Sequence, residues 1–209
     1  MAASTVGERG RAGLRERKKQ ATREALSSAA IWLSLARGVE NVTIEDITLA
    51  AGVSLRTFRN YFASKYEAIS AAGADRARRI GASLVERPAD EPLWTALITA
   101  TLEHYKGAEQ ALGTDVMNAL RMLMFSPGMR AEYLKINSEM QNALAAAIAQ
   151  RIGTDVEADM YPQVLAGAVI AASQVAVRRW YAADPPVPLR PLLERAFQHL
   201  ATACSQPAP

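Results

Sequence analysis

The sequence predicts an all-α protein built as a small three-helix unit followed by a larger helical bundle. Three observations predict it. Half of the 209 residues are hydrophobic and only 6% are aromatic, the apolar share being mostly Ala and Leu, which lead the helix scale. Apolar residues recur at spacings of three and four, and no stretch alternates as a strand would. Glycine, proline and N-cap residues punctuate the chain at intervals that suit about nine helices.

The first helix is expected from about Leu14 to Arg37, with Leu26, Ala29, Ala30 and Leu33 as its apolar stripe. Gly38 stops it, because glycine accepts the left-handed conformation of a helix terminus. Thr43 caps a second, short helix, and Asp46 three residues on completes a capping box. That helix ends near Ala51-Gly52. Ser54 caps a third helix, roughly Leu55 to Phe62. Ser64 and Glu67 form another capping pair and open a long fourth helix to about Val85. The segment from Glu86 to Pro92 breaks the chain. Further helices are expected at about 91–106, 115–125, 128–152, 158–182 and 189–203. Pro127-Gly128 and Gly153-Thr154-Asp155 are turns, and Asp184-Pro185-Pro186-Val187-Pro188 is a stiff connector.

Several function classes are excluded at this stage. One cysteine, Cys204, forbids a disulfide framework or a multi-cysteine metal site. His104 and His199 lie far apart, and no Gly-rich phosphate loop, H-E-x-x-H or G-x-S-x-G appears. Neither catalysis, a metal nor a cofactor is expected. His104 between Glu103 and Tyr105 would suggest otherwise only if the three were buried together. The most apolar run, Val164–Val177, is too short to cross a bilayer. With no secretory signal, the cytoplasm is the expected compartment.

Charge is divided unevenly. Residues 1–66 hold eleven Lys/Arg against six Asp/Glu, whereas 67–209 hold thirteen against fifteen. Arg9, Arg11, Arg15, Arg17, Lys18 and Lys19 crowd the beginning. A basic first third on a near-neutral body fits an anionic partner at one end. The same cluster also fits a solvated tail.

Residues 43–62 read TIEDITLAAGVSLRTFRNYF. Two short capped helices meet at Gly52. The small Ala50 and Ala51 permit a close crossing, and Ile44, Ile47, Val53 and Phe58 fill the space against the first helix. This is a helix-turn-helix, whose second short helix enters the DNA major groove. Its leading residues, Ser54, Leu55, Arg56 and Thr57, with Arg59 and Asn60 one turn on, are the candidates for base edges. An arginine suits guanine and an asparagine adenine.

The segment Gly38–Lys65 resembles the DNA-binding domain of the TetR/AcrR family of transcriptional regulators. The matching residues are Gly38, Thr43, Ile47, Ala51-Gly52-Val53-Ser54, Thr57-Phe58, Tyr61-Phe62 and Ser64-Lys65, with Thr22-Arg23, Leu26, Ala29-Ala30 and Leu33 upstream. The resemblance implies that Thr43, Tyr61 and Lys65 hold phosphates while Arg56, Thr57 and Arg59 face the groove. Tyr61 also fits a half-buried core aromatic. Three positions depart from the family pattern: Arg59 replaces a frequent aromatic, Thr48 a small alanine and Ala63 a proline.

The resemblance also implies a division into residues 1–64, the basic arm and helix-turn-helix, residues 65–204, an effector-binding and dimerisation unit, and a loose tail at 205–209. Trp94, Leu102, Tyr105, Met117, Leu120, Met124 and Met140 are the expected lining of an effector pocket suited to a small hydrophobic or amphipathic molecule. Each also fits plain core. The helices at about 158–182 and 189–203 resemble the family's dimerisation pair, and the Trp180-Tyr181 end of the former is faintly similar to regulators of the mycofactocin-system type. The implied function is a ligand-responsive repressor that binds a palindromic operator in double-stranded DNA as a homodimer, with no membrane partner. The alternative is a helical small-molecule-binding protein without specific DNA recognition.

Overall fold

In a computed structural model the chain is described over residues 3–105 and 110–205, with side chains from Arg15 to Thr202 apart from Glu16 and 106–109. The described residues form nine α-helices and a 3-10 turn, without a strand. They divide into two compact units, Met1–Ala72 and Gly73–Pro209. The division falls inside the fourth helix rather than at the boundary expected after residue 64.

In the first unit, α1 (Ala3–Arg37) begins earlier than expected and ends at Gly38, which has φ 80°. A 3-10 turn at Val39–Asn41, absent from the sequence reading, leads to α2 (Ile44–Ala51) and α3 (Leu55–Arg59). α4 (Lys65–Glu86) contributes residues 65–72. Leu26, Ala30 and Leu33 on α1, Ile47 on α2, Phe58 and Phe62 around α3, and Ala68 and Ile69 on α4 are all buried. Ile44 and Val53 are half-buried and Ala50 is exposed, so of the two small residues expected at the crossing only Ala51 is partly enclosed. α3 is shorter than expected. Phe58 and Phe62 are both buried, their ring centroids 5.8 Å apart, and Asn60 closes the helix as its C-cap.

The second unit comprises the rest of α4, α5 (Leu93–Glu103), α6 (Thr114–Met124), α7 (Pro127–Ile152), α8 (Met160–Ala182) and α9 (Leu189–Ser205). α8 packs between α7 and α9, α5 lies on α9, and α6 rests on α7 and α8. Leu84, Leu97, Leu144, Ile148, Val169, Leu193 and Phe197 form its centre. Ser126 caps α7 with Pro127 at the first helical position, where its missing N–H has no partner to lose. Arg151 draws the loop after α4 onto α7: its guanidinium donates to the carbonyls of Leu84, Arg87, Pro88 and Glu91 at 2.7–3.1 Å. Ser205 ends α9, and the remainder of the expected tail lies outside the described residues.

α8 is a 23-residue helix with a window of mean hydropathy 1.4, long and apolar enough to cross a membrane by length and composition alone. The fourteen-residue apolar run Val164–Val177 lies within it. One face, Ala166, Val169, Ile170, Ser173 and Ala176, is buried. The opposite face, Met160, Val164, Ala171 and Val175, is exposed.

Candidate functional site

The helix-turn-helix is built from local hydrogen bonds that the sequence dictates. The Thr43 hydroxyl accepts the Asp46 N–H at 3.1 Å, and the Asp46 carboxylate accepts both the Thr43 N–H (2.9 Å) and its hydroxyl (2.7 Å). These bonds, helped by the Arg37 charge 3.7 Å away, hold the Asp46 carboxyl below the usual carboxylate range. Gly52 closes α2 in the left-handed conformation, φ 67° and ψ 33°, where a side chain would be strained. Ser54 then starts α3: its hydroxyl accepts the Thr57 N–H at 3.1 Å and pairs with the Thr57 hydroxyl at 2.9 Å.

This geometry sorts the residues expected to meet DNA. Arg56, Arg59 and Asn60 are exposed, and Leu55 and Thr57 are half-buried. Ser54 and Thr57 engage each other, whereas no described acidic group pairs with Arg56 or Arg59. Asn60 is not one turn inside the helix but its C-cap. Tyr61 is half-buried with its ring centroid 6.4 Å from that of Phe62. Lys65, expected at a phosphate, has a structural task within the unit. Its ammonium donates to the carbonyls of Val39 (2.7 Å) and Val42 (2.9 Å), so two of its three N–H groups fasten α4 to the 3-10 turn. Tyr66 adds to this anchor by donating to the Glu40 carboxylate. On the other side Arg23 stacks 4.7 Å from the Phe62 ring centroid. Within the basic arm, Arg15, Arg17, Lys18 and Lys19 are exposed, and the side chains of Arg9 and Arg11 lie outside the described residues.

In the second unit a cavity of about 30 Å³ lies among α4, α5, α7 and α8. Of the expected lining, Tyr105 and Met140 reach it. Trp94 and Leu102 pack on the core elsewhere, Met117 is wholly buried, and Leu120 and Met124 are half-buried on α6. Arg76, Ala77 and Ile80 of α4, Thr101 of α5, Leu144 of α7 and Val169, Ile170 and Ser173 of α8 complete the walls. Methionines and aromatics mark α5, α6 and Met140 of α7 in the sequence, whereas the cavity-facing residues of α4 and α8 look like ordinary core. His104 is not gathered with Glu103 and Tyr105 into an acid–base group: it pairs with the Ser83 hydroxyl at 2.8 Å, and Glu103 points to Arg87. No cluster of three metal-ligating side chains occurs among the described residues.

A capped helix-turn-helix with an exposed basic second helix, followed by a separate helical unit, defines a DNA-binding regulatory protein. Comparison with known proteins specifies which kind. Residues 26–72 match the family described as bacterial regulatory proteins, tetR family, and residues 91–205 match the MftR C-terminal domain. The HTH-type transcriptional regulator TcmR of Streptomyces glaucescens is 37% identical over 175 residues, covering 81% of this chain and 77% of that protein. MftR of Mycobacterium tuberculosis, named for regulation of mycofactocin biosynthesis, is 25% identical over 87% of this chain and 90% of that protein. A structure from Syntrophomonas wolfei, described as a TetR-family transcriptional regulator, superposes with a TM-score of 0.60 at 17% identity, covering 90% of this chain and 96% of that one. The chain belongs to the TetR family of transcriptional regulators, with a DNA-binding helix-turn-helix and a carboxy-terminal ligand-binding domain.

Proposed function

We propose that the protein is a cytoplasmic repressor that binds a palindromic operator as a homodimer and is released by a small, largely apolar effector. The observation that carries this reading is the state of α3: Arg56 and Arg59 stand exposed on a helix whose own capping is already satisfied by Ser54 and Thr57. Arg56 reads bases, Arg59 holds a base or a phosphate, and Asn60 and Leu55 add contacts at the groove. Thr43 and Tyr61 steady the backbone, and the remaining N–H of Lys65 faces a phosphate. The exposed apolar face of α8 supports the homodimer, because burying Val164, Ala171 and Val175 against a two-fold mate together with α9 removes them from water. Such a dimer sets two α3 helices about one DNA turn apart. The effector acts through its different affinity for DNA-competent and DNA-incompetent conformations.

Selection of bound duplexes from random DNA at about 150 mM salt tests the reading, because nonspecific phosphate contacts weaken steeply with salt. A two-fold symmetric site should emerge, and Arg56→Ala should relax its preference at one base pair per half-site by about 1–3 kcal/mol. A chain that enriches no sequence is instead a helical ligand-binding protein without DNA specificity.

A further inference from the structure

Among the described residues the cavity in the second unit is lined by one cation and no anion. The Arg76 guanidinium carbon lies 4.6 Å from the Tyr105 ring centroid at the cavity wall. The neighbouring carboxylate, Asp75, is buried and turned to Arg78 instead. Among the described residues Arg76 has neither an ion pair nor a hydrogen bond. Neither wall hydroxyl is bonded to it: Thr101 donates to the Leu97 carbonyl at 2.7 Å and Ser173 to the Val169 carbonyl at 2.8 Å, each within its own helix. The remaining lining is aliphatic. Near the same guanidinium, burial pushes the Tyr181 phenol up to about 12, with the Arg76 charge opposing the rise. A guanidinium at the edge of an apolar space gains little there unless an anion joins it.

We infer that this cavity takes a singly charged organic anion on an apolar skeleton, its oxygens on the Arg76 fork beside Tyr105 and its body among Ile80, Leu144, Val169 and Ile170. The inference deepens the proposed effector reading and rests on it for the ligand's regulatory meaning. The planar fork of arginine suits a carboxylate better than it suits a hydroxyl or amide. The space as it stands is the size of a water molecule, so the guest enters by displacing a side chain. Met140 is placed for that. Its sulfur packs against Gly73, within 3.4 Å of where a side chain there would begin, and an unbranched thioether is easily rearranged.

Calorimetry on the full chain without DNA tests this with three probes of one shape: 2-naphthoate, 2-naphthamide and 2-naphthylmethylammonium. The acid should bind roughly tenfold or more tightly than the amide, and the ammonium weakest of all. Arg76→Gln should bring the acid-to-amide ratio close to one while leaving amide affinity within about twofold, and Arg76→Lys should keep part of the ratio. Met140→Ala should tighten acid and amide alike. The inference is overturned if the amide or ammonium binds as well as the acid in the natural chain, if Arg76→Gln leaves the ratio unchanged, or if no probe binds at millimolar concentration. The ranking in the natural chain decides the matter even where a variant does not fold. A chain that binds the acid yet enriches no DNA sequence refutes the regulator reading and leaves this inference standing.

Discussion

Gly81 lies so close to Ala147 that a Cβ on the glycine would sit 2.8 Å from the Ala147 Cβ. At this point α4 and α7 meet with almost nothing between them. Both residues are in the buried part of the second unit, so neither helix can yield without disturbing Leu84 and Ile148 nearby in sequence.

Gly81→Ala should therefore destabilise the protein, although alanine is the better helix former by about 1 kcal/mol. Overpacking costs about 1–3 kcal/mol, and the net loss should appear as a lower thermal midpoint. An unchanged or higher midpoint would show that the helices separate freely.

Arg151 satisfies four carbonyls at the end of α4 and in the loop that follows. Arg151→Met should cost about 2–3 kcal/mol, because it removes charge-assisted bonds and leaves acceptors without donors. Arg151→Lys should recover only part, since an ammonium cannot reproduce the planar fork. Denaturant midpoints of the two variants measure both effects.

Lys65 and Arg59 should separate in a paired experiment. Lys65→Met removes the tie to Val39 and Val42 and should lower the melting temperature in the absence of DNA. Arg59→Ala should leave the melting temperature unchanged and, where Arg59 holds a phosphate, flatten the dependence of DNA affinity on salt by about one unit of slope. A normal melt for Lys65→Met would count against its structural role.

Acid should loosen the fold at two named places. The Asp46 carboxyl is held low by its bonds to Thr43, and that of Glu91 by its bonds to Arg87 with help from Arg151. Both groups stabilise the fold fully above the ordinary carboxylate range, and that contribution disappears as pH falls through their lowered values, below about pH 4. Melting temperatures measured from pH 6 to 3 should fall less steeply for Asp46→Asn or Glu91→Gln than for the natural chain.

Alkali acts through Tyr181. The folded protein keeps this phenol proton up to about 12, whereas an unfolded chain releases it near 10. Stability should decline as pH rises through that interval, and absorbance near 295 nm should show Tyr181 ionising late, alongside Tyr66, which burial and the Glu40 carboxylate also push up. Tyr181→Phe should remove the ionisation at about 12 and leave that of Tyr66.

What could be read from the sequence was what depends on neighbours along the chain. The Thr43–Asp46 box, the Ser54 cap, the left-handed Gly52 and the apolar stripe through Leu26 and Leu33 each involve residues within a few positions of one another. The family resemblance rested on that same local pattern. Features that join distant segments stayed hidden. Lys65 reaches back to Val39, Arg151 to Leu84, and the cavity is assembled from four helices. The lining of Ile80, Val169 and Ile170 is chemically identical to core, so nothing in the sequence marks it as facing a space. The short 3-10 turn at Val39–Asn41 carries no periodicity to detect.

The handclasp between the hydroxyls of Ser54 and Thr57 has an evolutionary corollary. Because those two side chains maintain the shape of α3, the proposed reading lets lineages exchange residues 56, 59 and 60 and acquire new target vocabularies without rebuilding the scaffold. Divergence in genomic address is then decoupled from divergence in architecture.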